Sequence, residues 1–233
     1  MEKPVWDKPW AVLWDMDGTL VDTAQLHFEA WVLACRELGR EFTAEDFRLT
    51  FGRRNPEIYD YLFPDQPDAQ RNAKLGLDKE LLYRAEARRQ GIQLLPGVWD
   101  LMSQLHSWGV PQAIGSSAPR GNLDLILELT HIAPLLGAVV GQEDTQRGKP
   151  DPQVFLIGAQ KLQVEPACCI VMEDAVAGIE AAKAGGMKAV GVTFVGHHPA
   201  ESLKKAGADL VVEHLAEVNA GQLFDLVRLG AER

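Results

Sequence analysis

Six short apolar runs, separated for the most part by segments of helical spacing, restrict this chain to an architecture in which strands and helices alternate. The runs are Trp10–Trp14, Gln112–Gly115, Ala138–Val140, Cys168–Met172, Ala189–Val192 and Leu210–Val212. Between two of them, Val98, Leu101, Met102, Leu105 and Trp108 keep the three-and-four spacing of an amphipathic helix, and Gly109 follows as a stop. Strands joined through helices pair in parallel, and the crossing helices cover both faces of the sheet. The expected fold class is α/β, a doubly wound parallel sheet.

One connection breaks the pattern. From Asp15, at the end of the first run, to Gln112, at the start of the second, the chain is far longer than the single helix that a crossover needs. The segment reads as four helices, Thr23–Leu38 (with Gly39 as a stop), Ala44–Phe51, Pro56–Leu62 and Asp68–Arg89, and it rejoins the sheet through Pro96-Gly97. The expected organisation is a core formed by residues 1–20 and 96–233, with a helical cap, residues 21–95, inserted after the first strand and able to act as a lid over it.

With 46 % apolar and 24 % charged residues among 233, the chain has ordinary globular composition. Its net charge of −10 argues against nucleic acid, which needs a cationic footprint. The same surplus means that any anion site must contain a local cation. The cysteines, Cys35, Cys168 and Cys169, are odd in number and include an adjacent pair, which fits neither a disulfide framework nor zinc spacing. No apolar run reaches membrane-spanning length, and Met1–Lys8 lacks the apolar centre of a signal peptide, so a cytoplasmic location is expected. Nothing in the sequence implies an oligomer.

The chemistry is concentrated at strand ends. The first run closes Trp14-Asp15-Met16-Asp17-Gly18-Thr19. Carboxylates two apart on extended chain point the same way, and Gly18 permits a sharp turn after them. Like charges held this close need a cation or a shared proton. The second run ends in Ser116-Ser117, placing hydroxyls and an amide at the same sheet edge. In Gly148-Lys149-Pro150-Asp151-Pro152, Asp151 is expected to cap a helix whose first residue is Pro152, which sets Lys149 at an anion-binding helix start. The fourth run leads into Glu173-Asp174, a second acidic pair. After it, the small residues Ala175, Ala177, Gly178, Ala181 and Ala182 would let a helix pack tightly on the sheet. Ligands of open α/β sheets bind at these carboxyl ends.

In this order the motifs resemble those of the haloacid dehalogenase-like (HAD) superfamily, in the branch with an inserted helical cap that contains β-phosphoglucomutase-like phosphatases. The resemblance runs from Trp10 to about Gly191 and implies a Rossmann-like core. Asp15 through Thr23 is similar to the first motif, Ser116 to the second, Lys149 to the third, and Glu173-Asp174 with Gly178 to the fourth. It implies a Mg²⁺-dependent enzyme that hydrolyses a small phosphorylated metabolite. Asp15 would be the nucleophile that becomes an aspartyl-phosphate, and Asp17 the general acid and base. Mg²⁺ would be held by Asp15, the Asp17 carbonyl and Asp174, with Glu173 nearby. Ser116, the Ser117 amide and Lys149 would bind phosphoryl oxygens. A neutral Asp17 is expected beside so many carboxylates.

His27 falls where mutase-like relatives carry a histidine near the general acid. Arg53 and Arg54, after Gly52, are candidates to read a distal anionic group, and Arg120 to touch phosphate. His197-His198 reads as an exposed loop. Gly141–Lys149 lacks P-loop spacing. Phospho-receiver domains share the aspartate, the metal and the lysine, but they are shorter and carry their acidic pair before the phosphorylated residue. A non-catalytic scaffold is disfavoured because every motif position is filled. Dehalogenation is disfavoured because Asp17 and Thr19 fit phosphotransfer. The alternative within the family is a sugar phosphomutase. Mutases of this family carry a lysine just before the cap-loop glycine and an arginine three residues after it, positions that correspond here to Phe51 and Asn55, with Arg53 and Arg54 as possible substitutes.

Overall fold

The computed structural model describes Trp6, residues 8–65 and residues 68–231. Most of Met1–Lys8 therefore lies outside the described residues. The six apolar runs form β1 (Ala11–Trp14), β2 (Gln112–Gly115), β3 (Ala138–Val140), β4 (Cys169–Glu173), β5 (Lys188–Val192) and β6 (Leu210–Val212). All neighbours are parallel, in the spatial order β3-β2-β1-β4-β5-β6. β1 and β4 are buried at every position, as expected for central strands covered on both faces. From β1 the chain steps outward through β2 and β3, then returns to β4 and steps the other way. The switch point between β1 and β4 leaves a crevice beyond their carboxyl ends.

Four helices fill the long connection: α1 (Ala24–Glu37), α2 (Ala44–Thr50), α3 (Asn55–Leu62) and α4 (Ala69–Gln90). Their bounds lie within a residue or two of those expected, because the caps are explicit in the sequence. Thr43 and Asp46 form a reciprocal capping box on α2, and Asp68 accepts the Arg71 amide at 2.9 Å to start α4. Trp31, Ala34, Cys35, Phe42, Ile58, Leu62 and Leu75 form a hydrophobic core of the insertion's own. The two connecting strands run side by side: the Leu95 amide donates to the Leu20 carbonyl at 2.9 Å, and Val21 bridges Leu94 antiparallel. The cap thus hangs from a narrow double hinge that begins just past Gly18.

The remaining helices are α5 (Val98–Ser107), α6 (Arg120–Thr130), α7 (Gln153–Leu162), α8 (Val176–Ala184), α9 (Ala200–Lys205) and α10 (Ala220–Ala231). α7 starts one residue later than expected. Pro152 is its N-cap, and the Asp151 carboxylate accepts the Gln153 amide at 3.0 Å. Among the described residues, no helix is long and apolar enough to cross a membrane.

One polar side chain is built into the main core. Gln112 opens β2 fully buried; it accepts the Trp14 indole N–H at 3.1 Å and donates to the carbonyls of Met102 at 3.0 Å and Leu135 at 3.3 Å. It thereby ties β1, α5 and the turn before β3 together. Gln112→Met keeps the length of the side chain but orphans an indole donor and removes a donor from two carbonyls. We expect it to lower unfolding stability by about 1–3 kcal/mol, read as a shifted urea midpoint with unchanged slope. An unshifted midpoint would show that these bonds contribute nothing.

Candidate active site

Parallel register brings the acidic strand ends together. Trp14 pairs with Ile114 on one side and with Met172 on the other, so Asp15 emerges beside Gly115-Ser116 and beside Glu173. The Asp15 amide continues the ladder by donating to the Met172 carbonyl at 3.0 Å. Into this crevice the loop before α7 delivers Lys149. Its ammonium donates to Asp15 Oδ1 at 2.5 Å and to Glu173 Oε1 at 2.7 Å, and lies 4.8 Å from the centroid of the Phe155 ring. Ligand oxygens of Asp15, Glu173 and Asp174 all lie within 4.8 Å of one another, and all three residues are buried.

Two glycines make room for these carboxylates. A Cβ on Gly18 would lie 2.3 Å from Asp174 Oδ2, and Gly18 also holds φ at +96°, so no other residue fits. A Cβ on Gly178 would lie 1.7 Å from Glu173 Oε1. The small residue expected to seat α8 on the sheet therefore serves a second purpose: it opens space for the carboxylate beneath the helix. Glu173 turns its other oxygen to the Ala175 amide at 2.6 Å.

The cluster carries more negative charge than Lys149 can balance. Burial pushes Asp15 up to about 7 against the pull of Lys149, and Glu173 adds to the rise. Burial, then Glu173 and Asp15, push Asp174 well above the usual carboxylate range. For Lys149, the Asp15 and Glu173 carboxylates outweigh burial and raise its pKa, so it remains a cation. Hard oxygen donors with unbalanced charge, cradled by glycine, are a donor set that suits a magnesium-sized cation.

Asp17 behaves differently from expectation. It is not one of the three clustered acids; its carboxylate accepts a short hydrogen bond from the Thr23 hydroxyl and lies 3.6 Å from His27 Nε2. Burial pushes Asp17 up, but His27, Thr23 and Lys79 together outweigh it and hold the group below its ordinary value. Asp17 is therefore a carboxylate in this structure, not the neutral acid expected. Behind it lies a buried chain that sequence reasoning missed. Lys79 Nζ is 2.9 Å from His27 Nδ1 and donates to Glu80 at 2.9 Å; Glu80 in turn accepts from Asn55 at 2.8 Å and Asn122 at 2.5 Å. Burial pushes Lys79 down, against the pull of Glu80. A signal was available: Leu75, Lys79, Tyr83 and Ala87 lie on one buried stripe of α4, and a lysine inside an apolar stripe needs a partner.

The other candidates divide. Ser116 is buried, and its hydroxyl accepts the Ala118 amide at 3.1 Å, while Ser117 is half-buried beside it. Arg53 is exposed. Arg54 is not free to read an anion, because its guanidinium donates to the carbonyls of Gln146 at 2.7 Å, Thr145 at 3.0 Å and Gln142 at 3.2 Å. Arg120 opens α6 and is exposed, its Nε paired with Asp124, four residues on, at 2.7 Å. His197 is exposed, as expected, but its ring packs on Phe51 with centroids 4.7 Å apart, and His198 is half-buried.

The model of the haloacid dehalogenase-like hydrolases matches residues 11–186. Among curated relatives, β-phosphoglucomutase of Bacillus subtilis (strain 168) is 33 % identical over 224 residues, covering 92 % of this chain and 94 % of the relative. Validoxylamine A 7′-phosphate phosphatase of Streptomyces hygroscopicus subsp. limoneus is 32 % identical, covering 88 % of this chain and 94 % of its own. The crystal structure of β-phosphoglucomutase (pgmB) from Clostridium difficile superposes with a TM-score of 0.85 at 24 % identity, over 97 % of this chain and all of the other. Matched in sequence along the sheet and in fold along nearly its full length, the chain belongs to the haloacid dehalogenase-like hydrolases, in their β-phosphoglucomutase-like branch with a helical cap, and is a phosphoric monoester hydrolase.

Proposed function

We propose that this chain is a Mg²⁺-dependent phosphatase that releases inorganic phosphate from a small phosphorylated metabolite through an aspartyl-phosphate on Asp15. The observation that carries the reading is Asp15 itself, a buried carboxylate held at 2.5 Å by Lys149 within the acidic cluster of Glu173 and Asp174. Named relatives act on phosphorylated compounds: the Streptomyces phosphatase and hexitol phosphatase A of Escherichia coli among them. Residues 1–20 and 96–233 serve as the catalytic core and 21–95 as the cap. Three free, buried cysteines accord with a reducing, cytoplasmic setting.

Asp15, Asp174 and the Asp17 carbonyl would hold Mg²⁺, with Glu173 orienting Lys149 beside them. When bound, the ion offsets the repulsion between a carboxylate nucleophile and a phosphate dianion. Asp15 attacks phosphorus in line; Lys149, Ser116 and the Ser117 amide receive the other oxygens. Lys149 exchanges one of its two carboxylate partners for a phosphoryl oxygen. A phosphoryl group placed beside Asp17 raises the proton affinity of its carboxylate, so the resting base takes up a proton from solvent as substrate binds and becomes the acid that protonates the leaving alcohol. Once the alcohol departs, Asp17 accepts a proton from the water that cleaves the acyl phosphate. Thr23 and His27 aim Asp17 throughout, with the Lys79 ammonium directing the proton of His27 to Nε2.

Replacing the nucleophile separates this scheme from any other use of the cluster. Asp15→Asn should eliminate phosphate release from p-nitrophenyl phosphate, and Asp17→Asn should lower kcat about 10²–10⁴-fold. Near-normal Mg²⁺-dependent turnover by Asp15→Asn would refute the scheme.

The buried acids give a prediction independent of catalysis. A carboxyl whose pKa rises on folding contributes stability that is complete at low pH and is lost as pH climbs through the folded value. Without metal, the protein should therefore lose stability as pH rises from the ordinary carboxylate range through about 7, the value to which Asp15 is pushed. Asp174→Asn removes one of these charges. In excess chelator the variant should melt above wild type, by a margin that widens from pH 6 to pH 8. A pH-independent margin, or a lower melting point, contradicts the charge imbalance.

The mutase reading is favoured by the Bacillus relative and disfavoured by the cap. Phe51 and Asn55 occupy the expected cation positions, Arg54 is spent on carbonyls, and Lys79 is buried against Glu80. Given β-glucose 1-phosphate and catalytic glucose 1,6-bisphosphate, the enzyme should release phosphate faster than it forms glucose 6-phosphate. The reverse ratio establishes the mutase.

A further inference from the structure

Arg54 is engaged with backbone carbonyls, and these partners give it a task other than reading substrate. All three of its acceptors are backbone carbonyls in one loop, the segment from Gln142 to Gly148 that joins β3 to Lys149. The same cap turn touches this loop at both ends. At one end, the Asn55 amide donates to Gln142 Oε1 at 3.0 Å. At the other, Gly148 lies so close under the cap that a Cβ there would meet Glu57 Oε1 at 2.5 Å and Arg54 Cδ at 3.0 Å. The next residue is Lys149.

The loop is secured from two sides in complementary ways. Its amides are held by the core: Gln153 Oε1 accepts from Gln146 N at 2.7 Å and from Arg147 N at 3.3 Å. Its carbonyls face the cap, and a guanidinium, which has five donors and no acceptor, satisfies three of them at once. These carbonyls can take water instead when the cap is lifted, so the contact can be made and broken.

We propose that Arg54 is a positioning residue, a latch by which closure of the cap sets the loop that carries Lys149 against Asp15 and Glu173. The proposal rests on the phosphatase reading for its catalytic consequence, though not for its structural one. Because the latch acts through Lys149 and not through the leaving group, its loss affects every substrate alike.

The test uses the full chain and two readouts. Hydrogen exchange of Arg54→Ala should speed up in residues 142–149 and stay unchanged in β1 and β4. In Mg²⁺, kcat should fall about tenfold or more, by the same factor on p-nitrophenyl phosphate and on a hexose phosphate, and Arg54→Lys should recover part of the loss. Gly148→Ala wedges the same seam from the core side and should reproduce the uniform loss; adding Glu57→Ala should relieve it. A loss confined to one substrate as a raised KM would make Arg54 a substrate reader and overturn the latch, as would unchanged exchange in 142–149. If the wild type releases no phosphate at all, the phosphatase reading fails, and the exchange result still decides the latch.

Discussion

Three buried carboxylates share one ammonium at the carboxyl end of β1 and β4, and most of the surrounding structure answers to that imbalance. Parallel register delivers Asp15 and Glu173 side by side, and Lys149 joins them at 2.5 and 2.7 Å. Charges this close are tolerable in a dry site only when neutralised, by protons on Asp15 and Asp174 or by a bound cation. The absence of side chains at Gly18 and Gly178 follows directly, since a methyl group at either would collide with a carboxylate. What looks like close helix packing is partly space reserved for charge. Such a site trades stability for chemistry, a trade that the apolar core of the sheet supports.

The cap meets the core through apolar contacts, with Leu26, Ala30, Tyr83 and Ala87 joining the main hydrophobic core, and through a set of polar ones. Within the cap, aromatic and aliphatic side chains form a separate core around Trp31 and Phe42. Between cap and sheet, however, lie Arg54 on three carbonyls, Glu80 between Asn55 and Asn122, Arg84 on Asn122 and the exposed pair Arg88–Glu128. These polar groups can exchange partners with water when the seam opens, while the apolar part of the contact favours the closed arrangement. The two connections run side by side at Val21 and Leu94, with Gly18 just before the first. Asp17 stands where the two halves meet: its backbone belongs to the sheet edge, while its side chain is held by Thr23 and His27 at the start of the cap.

The sheet was legible because buried parallel strands are continuous apolar runs, and their carboxyl ends carry the unusual residues. Asp15 and Glu173-Asp174 could be named from strand ends, Lys149 from the helix start that follows it, and the cap from the length of one connection. The state of Asp17 was not legible, since it depends on which neighbours its side chain faces; spacing showed the other carboxylates but not Lys79, far along the chain on α4. Arg54 was misread for a related reason. Its partners are backbone carbonyls 88 residues or more away, and a carbonyl has no sequence signature. Arg120 shows the reverse: its partner, Asp124, lies four residues on and was in view, as an intrahelical pair.

The central claim, that Asp15 takes the phosphoryl group, is tested most directly by trapping it. Wild-type protein mixed with substrate and Mg²⁺, quenched in acid within a turnover and digested, should yield a phosphoryl-mass increase on the peptide that contains Asp15, absent from Asp15→Asn and absent when chelator replaces Mg²⁺. Label on any other residue, or steady phosphate release with no label trapped on Asp15 under any quench time, would contradict the account.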